Sequence, residues 1–79
     1  MNLKIEKKIC HDGSEGFECN FEIGKKKFFA SLCMVPDGFT ECMIFYRGKW
    51  EDLYCSRCIP VSAKQLEDCI MEFIEDYQG

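Results

Sequence analysis

The apolar residues of this chain change period once, and that change limits the folds open to it. From residue 2 to about residue 55 they recur at every second position; from residue 62 they recur at every third or fourth. A period of two marks a strand with one buried face, and a period near 3.6 marks a helix with one apolar stripe. The cleanest stretch is 17–23, where Phe17, Cys19, Phe21 and Ile23 point one way and Glu18, Asn20 and Glu22 the other. Residues 2–9 repeat it, with Leu3, Ile5 and Ile9 against Lys4, Glu6 and Lys8.

Two further stretches are apolar on both sides. Over 26–35, Phe28, Ala30, Leu32 and Met34 alternate with Phe29, Ser31, Cys33 and Val35. Over 39–46, Phe39, Met43 and Phe45 alternate with Cys42, Ile44 and Tyr46. Strands of this kind are covered, at least in part, on both faces. Trp50 to Cys55 can form a short fifth strand. The breaks fall at turn formers: His11–Gly16, Gly24-Lys25, Pro36-Asp37-Gly38 and Arg47-Gly48-Lys49. Gly24-Lys25 fits a two-residue hairpin loop with glycine first.

The closing segment is predicted to be a helix from Ser62 to Tyr77. Ser62 suits the N-cap, Gln65 completes a capping box, and Val61 with Leu66 forms a hydrophobic staple. Ala63, Leu66, Cys69, Ile70, Phe73, Ile74 and Tyr77 share one stripe. The expected architecture is a single α+β domain over residues 1–79. It is an antiparallel β-meander of four or five strands with the helix packed on one face. Leu66, Ile70, Phe73 and Tyr77 are expected to bury against Phe17, Phe21, Phe28 and Leu32, or against the opposite faces of those strands. One helix, about 10 Å wide, covers only part of a sheet face. Phe29, Cys33 and Val35, or their counterparts on the other face, are therefore candidate binding residues, for a protein partner or for a second copy of the chain.

Composition excludes several classes. With 47% hydrophobic and 14% aromatic residues the 79-residue chain is not disordered. No apolar run is long enough to cross a bilayer, so no membrane role is expected. A net charge of −4 argues against direct nucleic-acid binding; Lys25-Lys26-Lys27 is the only local basic run and reads as a solvated hairpin end. There is no P-loop, no GxGxxG and no serine with a base partner, so an enzyme is not expected.

The seven cysteines are an odd number, most of them at positions where a small apolar residue would serve. The opening residues alternate in polarity, which is not a signal-peptide pattern. Reduced thiols and a cytoplasmic location are expected, with no metal and no cofactor. The alternative is built on Cys55 and Cys58, a CxxC pair able to hold zinc or to cycle between dithiol and disulfide. Zinc needs further ligands, and Cys10 and His11 are the candidates to complete the set.

The outer face of the helix is acidic. Glu67, Asp68, Glu72, Glu75 and Asp76 follow Lys64 with no further basic residue. Asp68, Glu72 and Asp76 stand at i, i+4 and i+8, and each like-charge pair destabilises a helix by a few tenths of a kcal/mol. Carboxylates displayed at that cost suit a protein partner with a basic surface. In size, charge and fold class the chain resembles small acidic proteins of phages and other mobile elements, anti-CRISPR proteins among them. The resemblance rests on no motif. It implies a non-enzymatic inhibitor that occupies the basic groove of a nucleic-acid-binding host protein.

Overall fold

The computed structural model describes residues 3–34, 39–47, 51–57 and 60–78. Five strands form one sheet: β1 (Glu6–Ile9), β2 (Glu15–Ile23), β3 (Lys26–Met34), β4 (Thr40–Tyr46) and β5 (Glu51–Arg57). Their spatial order is their sequence order, and every neighbouring pair is antiparallel. The helix α1 (Ala63–Gln78) follows and packs on one face, an α+β meander closed by a helix as the change of period implies. Trp50 and the Pro36–Gly38 turn lie outside the described residues. Among those described, no helix is long and apolar enough to cross a membrane.

Local chemistry explains the joints. Ile23 pairs with Lys26, so Gly24-Lys25 is the whole β2–β3 loop, and Gly24 takes φ +63°, which a side chain would resist. At the start of α1 the Gln65 N–H donates to Ser62 Oγ at 3.1 Å, satisfying one of the orphan donors of the first turn. Between β1 and β2, Asp12 Oδ1 accepts from both the N–H and the hydroxyl of Ser14. These bonds hold the Asp12 carboxyl below the usual carboxylate range.

The core lies between α1 and one face of β2, β3 and β4. Phe21, Phe28, Leu32, Cys42 and Ile44 meet Leu66, Cys69, Ile70, Phe73 and Ile74 there, all buried. Each large side chain buried fully contributes roughly 1.5–3 kcal/mol. Two expectations need correction. Tyr77 is 41% exposed. Its ring still meets Phe28 and Phe73, but its hydroxyl stays near solvent, where it accepts from Lys26 Nζ at 2.9 Å. Ile9 is 71% exposed although it shares parity with Leu3 and Ile5; it is the last residue of an edge strand and pairs only with Glu15.

The expectation of fully reduced cysteines is also corrected. Cys10 and Cys33 form a disulfide, with Cα atoms 6.1 Å apart. The chain after β1 curls over β2, and the two sulfurs meet above Gly16. A Cβ at Gly16 would stand 2.5 Å from Cys10 Sγ, 3.0 Å from Cys33 Sγ and 2.5 Å from the Leu32 carbonyl oxygen. Glycine is needed here for close approach rather than for a turn. Gly16→Ala is expected to lower stability by about 1–3 kcal/mol, because the strand must shift to admit the methyl group. A urea midpoint equal to that of the parent protein would show that β2 yields freely.

Candidate functional site

Two surfaces remain once the core is accounted for, and they lie on opposite sides of the sheet. The first is the face of the sheet that α1 leaves open. Phe29 on β3 and Phe45 on β4 are directly opposite each other, and Ser31 faces Met43 one step further along. These positions share the parity that points away from the helix. They floor an open groove of about 700 Å³, walled at one end by Ile9, Cys10 and Cys33. Met34 and Ile9, both exposed, add apolar surface to its rim.

Several charged side chains described on this open face have polar partners. Lys8 Nζ donates to Ser31 Oγ at 3.1 Å, lies 3.9 Å from Glu18 Oε2 and sits 5.7 Å above the Phe29 ring. Across the sheet, Arg57 Nε stands 3.4 Å from Glu41 Oε2. Arg47 donates to Asn20 Oδ1 at 2.8 Å. An apolar floor with a rim of paired charges is the composition of a protein interface.

The second surface is the outer side of α1. Glu67, Asp68, Glu72, Glu75 and Asp76 are all exposed. Lys64 reaches Asp68 at 3.6 Å, and no basic residue occupies the last turn of the helix. The negative end of the helix dipole and the carboxylates of Glu75 and Asp76 therefore coincide.

The sequence-derived sites divide as follows. Phe29 lies in the open-face groove with Cys33, which is bonded to Cys10. Val35 and Cys58 lie outside the described residues. Cys55 is exposed on β5, whereas Cys10 and His11 follow β1. β1 and β5 are the two outer strands, four strand spacings or roughly 19 Å apart. The fold does not bring Cys10 or His11 to Cys55, and the disulfide occupies the sulfur of Cys10. Among the described residues, no three His, Cys, Asp or Glu side chains gather as a metal-binding group.

The remaining described cysteines follow the small-hydrophobe reading. Cys19, Cys42 and Cys69 are buried thiols. Burial pushes the Cys42 thiol far above its ordinary range, with the neighbouring Cys69 adding to the effect. Such thiols are poor nucleophiles. Met43 and Phe45 were not singled out from sequence; their alternation with Cys42 and Ile44 gave them a common face, and the β3–β4 register puts that face on the Phe29 side. No family model, no curated protein and no solved structure matches this chain.

Proposed function

We propose that this protein is a non-enzymatic interaction module that pairs with a second copy through its open sheet face and offers its acidic helices to a basic protein surface. One observation carries the reading: the five exposed carboxylates of α1 lie on one side of the sheet, and the half-buried Phe29, Met43 and Phe45 line the groove on the other. Two copies brought together helix to helix would repel. Two copies brought together through the open faces bury Phe29, Met43 and Phe45, and both acidic helices then point outward.

The area is adequate. Four strands of seven to nine residues and the four-residue β1 present roughly 500–650 Å² per face, or roughly 1,000–1,300 Å² for the pair, which reaches the threshold for a specific interface. The outward carboxylates would meet a partner such as a nucleic-acid-binding host protein, and an inhibitor that fills a basic groove is the finer form of this proposal. The runner-up, a zinc or thiol protein built on Cys55 and Cys58, has exposed Cys55 in its favour. Metal analysis of protein purified without chelator tests it.

Each surface has its own test. Phe45→Glu places an unpaired charge in the open face and is expected to leave a monomer in sedimentation equilibrium; a parent protein that is itself monomeric at every concentration refutes pairing. Glu72→Gln with Asp76→Asn removes like-charge repulsion near the helix C-terminus. It is expected to raise the melting temperature by about 4–8 °C, the shift that roughly 1 kcal/mol gives a domain this small. The same change should slow association with a basic partner and flatten its salt dependence. A higher melting temperature with unaltered capture of basic proteins at low salt would refute the acidic-helix part.

A further inference from the structure

We propose that the Cys10–Cys33 disulfide is a redox latch that sets the strength of pairing at the open sheet face. The inference rests on the reading that this face receives a second copy. The bond is placed where it governs the groove. Cys10 and Cys33 both line it, together with Ile9, His11 and Asp12 from the loop that the bond holds down. Beneath the sulfurs lies Gly16, whose missing side chain leaves a notch that a methyl group could not share with them. In the oxidised protein the sulfurs fill that notch and the loop forms a fixed wall.

The element so fastened is a short edge strand, tied to β3 besides the disulfide by Lys8, whose Nζ donates to Ser31 Oγ and lies over the Phe29 ring. β1 has four residues, borders the sheet, and pairs with β2 alone. Its loop is closed by local hydrogen bonds, Cys10 N–H to the Ser14 carbonyl and Gly13 N–H to the Cys10 carbonyl. These bonds shape the loop but do not fasten it to β3. Cutting the disulfide therefore frees the groove wall while the core between α1 and β2–β4 keeps its contacts. A wall that must be ordered on association weakens binding.

The chemistry needs a dithiol as co-reactant. Its thiolate attacks the sulfur of Cys33, the more exposed of the two residues, and Cys10 leaves as a thiolate that takes up a proton. The reductant's second thiolate then attacks the mixed disulfide and releases Cys33. The reductant ends as a disulfide and the protein as two thiols, a balanced two-electron exchange.

Sedimentation equilibrium of the whole chain, oxidised and then treated with dithiothreitol, tests the latch. Hydrogen exchange of both forms is measured alongside, and the double variant Cys10→Ser with Cys33→Ser serves as a reductant-independent mimic. The expected result is a dimer dissociation constant about tenfold weaker after reduction and in the variant. Amides of 7–9 and 10–16 should lose most of their protection, whereas those of β3, β4 and α1 should speed up only by the factor that the global loss of stability sets and remain the slowest in the protein. A dimer with equal dissociation constants in both states overturns the latch and leaves pairing intact. A monomer in both states overturns pairing and, with it, the latch. Loss of the helix signal on reduction also overturns the latch, since the bond would then hold the fold rather than the face.

Discussion

Phe28→Ala is expected to cost about 3–5 kcal/mol, the largest loss from any single truncation among the described residues. Phe28 is completely buried at the centre of the core. Its ring centroid lies 5.4–5.5 Å from those of Phe21, Tyr46, Phe73 and Tyr77, so it joins three strands to the helix. Alanine leaves a cavity bounded by four rings that cannot all close on it. A domain of this size has a total stability of roughly 4–12 kcal/mol, so the variant stands near its unfolding threshold. Urea unfolding followed by the far-ultraviolet signal measures the effect. A loss under 1 kcal/mol would mean that the rings repack and that Phe28 is not the keystone assigned to it.

Removing the disulfide has the second largest expected effect, about 3 kcal/mol. Cys10 and Cys33 are 23 residues apart, and cross-linking a loop of that length restricts the unfolded chain more than the folded one. The loss should therefore appear in the equilibrium midpoint of the Cys10→Ser, Cys33→Ser double variant, with the native helix signal unchanged. Titration of the unfolded parent with a thiol reagent should find at least two fewer thiols than the seven cysteines provide. Seven reactive thiols in protein purified without reductant would contradict the bond.

Strand parity was legible because it depends on neighbours along the chain. Phe17, Cys19, Phe21 and Ile23 alternate with charges, and β2 buries that same side. The apolar stripe from Leu66 to Ile74 and the Ser62 cap likewise use separations of three or four residues. The disulfide is a meeting across an intervening strand, and no local pattern encodes it. Gly16 read as a turn former because it follows His11–Glu15, yet it is a strand residue whose value lies in what it leaves empty. The open face was half legible. Phe29 stood out in a strand apolar on both sides, whereas Met43 and Phe45 acquire meaning only when β4 is set beside β3. The stripe also over-reached at Tyr77, since periodicity carries no information about where a phenol hydroxyl finds its partner.

The helix that covers the core comes after all five strands, and this sets the order in which the protein can acquire stability. Each ladder joins strands adjacent in sequence, so the meander can zip hairpin by hairpin with short loop closures. Its apolar face then waits for residues 63–78 before it is shielded. Until that moment Phe21, Phe28, Leu32 and Ile44 on one side, and Phe29, Met43 and Phe45 on the other, are bare together. A growing chain that has finished its sheet is thus at its most adhesive just before its last sixteen helical residues arrive. Truncation before α1 should yield an aggregating product rather than a smaller soluble domain.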